Sequence, residues 1–246
     1  RDGRPSLMGQ VVHHAGRSYA HFSMLAPEDA IESPDLPALL EHLIKRVGGR
    51  GAQSLVAEVD ESSRAFEALR RAGFSIYARQ TIWRITQAPR GVNRRAGWRP
   101  ATRRDRFAVN LLAGSLVPSL VQQVEPLPGD PLSGWLHYHE GELLAYVDVT
   151  RGPRGAWLQP YVHLDAAPFG ERLAALAAGL GPSRGKPLSL CVRSNQEWLH
   201  SALDDLGAEP GPQQAVMVKR TARRLPQKAS QPLRAAEGRR AEPTVP

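Results

Sequence analysis

The sequence predicts an α/β (α+β) protein of two tandem units, each a sheet flanked by helices. Residues 66–83, FEALRRAGFSIYARQTIW, and 200–218, HSALDDLGAEPGPQQAVMV, share one order of parts: a helix-like run, a glycine stop and a strand-like run. Residues 7–27 and 143–164 are both β-rich runs broken by a turn containing Gly and Arg. Such recurrence marks a repeated structural unit. The chain has 246 residues, 41% of them hydrophobic and 23% charged. That is enough to bury one large core or two modest ones.

The first copy opens with LMGQVVHHAGRSYAHFSMLAP (7–27), a predicted hairpin. In DLPALLEHLIKRV (35–47), Leu36, Leu39, Leu40, Leu43 and Val47 recur at helical spacing. SLVAEV (54–59) predicts a short buried strand, and a helix follows over roughly 62–72. Gly73 ends that helix in a position suited to a left-handed cap, and SIYARQTIWRI (75–85) is the closing strand.

The second copy repeats these parts. The hairpin ends in a strand whose Trp157, Gln159, Tyr161 and His163 share one face, since strand side chains alternate. ERLAALAAGL (171–180) is helical, LSLCVR (188–193) is a strand, 195–206 is a helix stopped by Gly207, and QQAVMVKR (213–220) closes the unit. This copy also has a preface. GWRPATRRDRFAVNLLAGSLVPSLVQQV (97–124) gives a short strand at 98–100 and two helical stretches, and GWLHYHE (134–140) gives a further strand. The first copy lacks that preface, so the sequence is expected to open part-way through its first unit. The resulting organisation is a partial unit over 1–87, a basic linker over 88–97, a complete unit over 98–221 and a tail over 222–246.

The formal net charge of +8 is unevenly spread. Eight arginines stand against Asp105 in 84–106, and six basic residues stand against Glu237 and Glu242 in 222–246, so the rest of the chain is slightly acidic. The tail is rich in Pro, Ala and Arg and cannot bury enough surface to offset its ordering entropy, so it is expected to be disordered. Linker and tail are candidate weak, sequence-independent contacts for nucleic acid. The single cysteine, Cys191, excludes an internal disulfide framework and suits a cytoplasmic setting. No apolar run approaches the roughly 18 residues of a membrane span, so no membrane partner is expected. The histidines lack a recognisable metal spacing, so no metal is expected.

The order of elements, W-R-P-A-T-x-x-D at 98–105, the hairpin into YVHLDA (161–166) and the helix ends RAGF (71–74) and DLGA (205–208) together resemble the GNAT superfamily of N-acetyltransferases. The resemblance covers 7–86 and 98–221 as two GNAT-like units. It implies a splayed sheet around acyl-coenzyme A, the fourth strand of a unit pairing with the pantetheine arm and the next helix start receiving the pyrophosphate. Acetyl-CoA is then the expected acyl donor and a small-molecule or peptide amine the expected acceptor.

Free N–H groups and the dipole at a helix start attract such a di-anion. Members of the family usually add an Arg/Gln-x-x-Gly-x-Gly/Ala loop. The first copy instead offers PEDAIESPDLPALL (27–40), with no glycine and four carboxylates. The second offers LDAAPFGERLAAL (164–176), with Gly170 beside Arg172, and is the better candidate. The resemblance therefore implies cofactor contacts at Val162, His163, Leu164, Phe169, Gly170, Glu171, Arg172 and Asn195. The family's usual tyrosine, one turn before the terminal glycine, falls on Leu69 and Leu203, neither of which can donate a proton. Candidate catalytic groups are His163, Tyr161 and Glu140. Histidine is the side-chain base suited to neutral pH. Two readings follow: an N-acyltransferase working in the second unit, or a catalytically lapsed pair that binds a ligand or partner.

Overall fold

The computed structural model describes residues 6–14, 17–94, 96–129, 131–166, 168–183 and 185–221. The expected disordered tail at 222–246 lies outside the described residues. In the first copy, β1 (Met8–Val12) and β2 (Tyr19–Ala26) form the hairpin, followed by α1 (Leu36–Gly49), β3 (Ser54–Asp60), α2 (Arg64–Arg71) and β4 (Ser75–Ile85). The second copy runs β5 (Arg99–Pro100), α3 (Arg106–Leu116), α4 (Ser119–Gln122), β6 (Gly134–His139), β7 (Glu142–Gly152) and β8 (Gly155–Val162). It ends with α5 (Gly170–Leu180), β9 (Leu188–Arg193), α6 (Leu199–Asp205) and β10 (Glu209–Arg220). Gly73 and Gly207 have φ of 84° and 71°, the left-handed conformation that ends a helix without a Cβ penalty.

The described strands form one ten-stranded mixed sheet, in the order β1-β2-β3-β10-β4-β9-β8-β7-β6-β5. The two copies exchange their last strands. β10 lies antiparallel between β3 and β4, with Val216 opposite Glu58 on one side and Ala78 on the other. β4 in turn pairs with β9 of the second copy, Ile82 opposite Cys191. At this junction Cys191 Sγ donates to Gln80 Oε1 at 3.2 Å, and Gln80 Nε2 donates to Gln214 Oε1 at 2.9 Å. A polar chain thus joins β9, β4 and β10 inside the sheet.

Strand alternation sorts the core into two faces. Ala215 and Met217 of β10 meet Leu40, Val47, Leu55 and Leu69 beneath α1 and α2. Leu158 and Leu190 meet Leu173, Leu176, Leu199 and Leu203 beneath α5 and α6 on the same side. Val216 points to the opposite face with Tyr77 and Val124, and Val109 and Leu112 of α3 cover Leu136 and Tyr146 there. Leu69 and Leu203, 4% and 0% exposed, are core residues packed under their helices.

The W-R-P-A-T-x-x-D stretch holds the second unit's entrance. Trp98 Nε1 donates to the Arg172 carbonyl at 2.8 Å. Asp105 Oδ2 accepts from Thr102 N at 2.8 Å and Thr102 Oγ1 at 2.7 Å, closing a capping box before α3. Arg99 Nη2 reaches Asp105 Oδ1 at 2.6 Å and Arg99 Nη1 reaches Oδ2 at 3.0 Å. This bidentate pair ties β5 to the helix start.

Candidate functional site

The site grows from a break between β8 and β9. The two strands pair in parallel at Ala156 with Leu188, Trp157 with Ser189 and Leu158 with Leu190, and no further. Ala156 N–H donates to the Pro187 carbonyl, so the even residues of β8 face β9. The next rung needs an N–H from residue 160, which is proline and has none. The Cys191 carbonyl is met instead by Gln159 Nε2 at 3.4 Å. Beyond this point Gln196 enters from the turn after β9, 3% exposed, and its Nε2 donates to the Val162 carbonyl at 2.7 Å. Gln196 Oε1 is buried and has no hydrogen-bond partner among the described residues. β2 and β3 part in the same way after His21 and Val56 in the first copy.

On the α3–α4 side, the gap opens into a cavity of about 60 Å³ lined by Pro160, Tyr161, Arg193, Asn195, Gln196 and Glu125, among others. Arg193 Nη2 donates to Glu125 Oε1 at 2.9 Å and Oε2 at 3.1 Å. The Tyr77 hydroxyl, from the first copy's last strand, also donates to Glu125 Oε1. Burial, then the Glu125 charge, pushes the Tyr77 phenol well above its ordinary value. Burial opposes the Arg193 charge, yet the Glu125 carboxylate carries its pKa above the usual arginine value. Burial pushes the neighbouring Cys191 thiol up to about 12, so it stays protonated and inert.

The expected site residues fall into three places. Tyr161 lines the cavity, stacked on Tyr146 with ring centroids 6.0 Å apart. Burial, followed by the Asp148 charge, raises its pKa well above the phenol value. Such a phenol donates a hydrogen bond but is poorly matched to give up its proton near neutral pH. His163 lines a separate groove of about 390 Å³ with Leu111, Ser115 and Tyr138, its Nδ1 3.3 Å from both Asp165 N and Asp165 Oδ2. Glu140 sits at the β6–β7 turn with φ 49°, its side chain 87% exposed, and lines neither space.

The cofactor candidates divide likewise. Val162 contributes its backbone to the gap, and Asn195 Nδ2 donates to the Leu116 carbonyl at 3.0 Å, on the α3 side. Leu164 is exposed, while Phe169 is buried edge-on against Trp98 and Trp198. Gly170 opens α5, whose first turn has no side-chain cap, beside a hollow of about 500 Å³ that also carries Glu171 and Asp205. No basic side chain among the described residues lines that hollow. The Arg172 guanidinium lies against Gly97 instead, where a Cβ would stand 2.7 Å from Nη1.

Sequence reasoning missed Glu125, Arg193, Tyr77 and Gln196. Two signals point to this cluster: a proline inside an otherwise regular strand, and an arginine ending the apolar run LSLCV.

Solved structures share this architecture. A GCN5-related N-acetyltransferase from Sphaerobacter thermophilus matches with TM-score 0.56 at 14% identity, covering 89% of this chain and 78% of its own. The fold is that of the GCN5-related N-acetyltransferases. One from Kribbella flavida matches this GNAT fold with TM-score 0.53 at 19% identity, over 82% of this chain and 80% of its own. A tandem GNAT protein from the clavulanic acid biosynthesis pathway matches with TM-score 0.50 at 17% identity, over 90% of this chain and 81% of its own. No family model matches the sequence, and no curated protein matches it.

Proposed function

We propose that the chain is an N-acyltransferase that moves an acetyl group from acetyl-CoA to an amine, with its site in the second unit. The observation carrying this reading is the parting of β8 and β9 after Leu158 and Leu190. It leaves the β8 edge and the orphaned, buried Gln196 Oε1 facing a gap. A buried polar atom without a partner is rare and costly unless a ligand satisfies it.

These residues suit the amide-bearing arm of the donor. Along the β8 edge, alternation places the Pro160 carbonyl and the Val162 N–H toward the gap. The uncapped start of α5 offers N–H groups to the diphosphate, while Glu171 and Asp205 oppose it. The same balance predicts weak binding.

When bound, acetyl-CoA supplies an activated acyl thioester. The chain's contribution is position, which can account for much of the barrier reduction. Tyr161 holds a protonated hydroxyl on the cavity wall. His163, one residue past the end of β8 and lining the neighbouring groove, takes up the proton that the acceptor amine loses. Asp165 Oδ2, 3.3 Å from Nδ1, accepts the Nδ1 proton in this role and leaves Nε2 free to act as the base. Glu140 is proposed to act at the mouth of the α3 groove, whose wall includes its neighbours Gly141 and Glu142.

The carboxylates at the α5 start favour the second reading, a lapsed pair that binds a ligand or partner. Isothermal titration of the full chain with acetyl-CoA separates the two. Heat saturating at millimolar ligand, with CoA thiol released on adding primary amines, is the expected result. No heat at millimolar ligand overturns the acyltransferase reading. A cytoplasmic setting, and contact of the 88–97 linker and the tail with nucleic acid, belong to the same proposal. Unchanged heparin retention after removal of 222–246 counts against the tail as a contact.

A further inference from the structure

The β8 edge meets the gap with a missing donor. Ala156, Leu158, Pro160 and Val162 carry its β9-facing groups, and Pro160 alone among them has no N–H. The middle of the unpaired stretch therefore offers a carbonyl and no donor. Acyl transfer demands the opposite there. As the amine nitrogen bonds to the acyl carbon and the carbon–sulfur bond breaks, negative charge gathers on the carbonyl oxygen. Donors fixed in advance around that oxygen are commonly the largest catalytic contribution.

Arg193, the last residue of β9, lines the same small cavity as Pro160 from across the gap. Its Nη2 is committed to both oxygens of Glu125. Its Nη1 is buried and has no hydrogen-bond partner among the described residues. A buried guanidinium N–H is costly to leave unmatched, so its acceptor is expected to come with a ligand. The orientation is locked from the other half of the molecule. Glu125 is gripped by Tyr77 on β4, a strand brought beside β9 by the strand exchange. A fixed donor needs no reorganisation when charge develops.

We propose that Arg193 Nη1 donates to the acyl carbonyl oxygen, supplying the donor that Pro160 cannot. The arginine keeps its protons throughout, acting as a hydrogen-bond donor while the amine proton leaves by another route. This inference rests on the acyltransferase reading and adds a catalytic residue to it.

The test uses the full chain and acetyl-CoA labelled with ¹³C at the carbonyl. In the native protein the carbonyl resonance moves downfield on binding, because a charged donor polarises the bond. Arg193→Lys keeps a cation for Glu125 but has a single nitrogen, so it loses the second donor. Its carbonyl resonance returns toward the free value, while affinity changes by less than about threefold, since most of the bond's strength is reserved for the transition state. A variant carrying both R193M and E125Q removes the donor without stranding a buried carboxylate, and it too loses the shift. A native-like shift in either variant overturns the proposal and leaves the acyltransferase reading standing. Failure of the native chain to bind the labelled donor overturns both.

Discussion

Gln196 Nε2 donates to the Val162 carbonyl at 2.7 Å, bridging the two strands where their own ladder has ended. One amide therefore does two things. Its nitrogen closes the free end of β8, and its oxygen stays unpaired, the atom assigned to a ligand amide in the proposed function. Gln196→Leu removes both at nearly constant volume. Stability should fall by about 1–2 kcal/mol, because the buried Val162 carbonyl loses its donor while the orphaned oxygen leaves with the side chain. Acetyl-CoA affinity should weaken about fivefold, the worth of one hydrogen bond. Calorimetry and thermal melts on the same samples check both halves. Unaltered affinity would show that the oxygen faces no ligand.

The start of α5 carries the wrong charge for a diphosphate. Glu171 stands in its first turn and Asp205 shares the hollow. Glu171→Lys reverses one of these charges beside the helix dipole and should tighten acetyl-CoA binding about fivefold at low ionic strength. Raising salt should erase most of the gain, since exposed charges are screened within about 10 Å at 0.1 M. Acetyl-pantetheine, which lacks the diphosphate, should show no gain. A gain that survives in high salt would place the effect elsewhere.

Local signals were legible in the sequence, and long-range ones were not. The Gly73 and Gly207 helix ends, β4 over 75–85 and β9 over 188–193 follow from periodicity and backbone freedom. The strand exchange does not. β10 is buried on both faces where Ala215, Val216 and Met217 pass through the sheet, so its pattern names no partner and no register. The Glu125, Arg193 and Tyr77 cluster was hidden for the same reason, since strand exchange brings together residues far apart in the chain. Tyr161 and His163 were singled out because side-chain alternation along one run is a local property. Their division between a cavity and a separate groove depends on where α3 packs against the sheet, which no local pattern describes.

Asp105 ties β5, the capping box and α3 together. Hydrogen bonds from Arg99, working against burial, hold its carboxyl well below the usual carboxylate range, with Thr102 adding to the effect. Because the folded value lies below the unfolded one, this stabilisation is fully present above the ordinary aspartate value of about 3.9 and drains away as pH falls below it. Asp105→Asn should cost about 1–2 kcal/mol at neutral pH, a cap-sized loss, since half-exposed Arg99 adds little. The variant's stability should then fall less steeply than the native protein's below about pH 4. Denaturant titrations across that range check the slope, and parallel curves would remove Asp105 from the acid response.

The exchange of terminal strands makes each half depend on the other. Without residues 1–87, β10 loses β3 and β4, and β9 loses β4. That leaves β9 as a bare edge flanked by the apolar residues Leu188, Leu190 and Val192, an invitation to aggregation. Without 98–221, β3 and β4 in turn lose the strand that lies between them. A chain cut within 88–97 should therefore behave as one protein when both pieces are produced together. Light scattering should report a 1:1 complex with the mass of the intact chain, and its circular dichroism should match. Each piece purified alone should be aggregated or unfolded, because losing a central strand removes more than a small domain's margin of about 5–15 kcal/mol. A folded, monomeric 98–246 fragment would contradict this and show that the second unit can reclaim its own last strand.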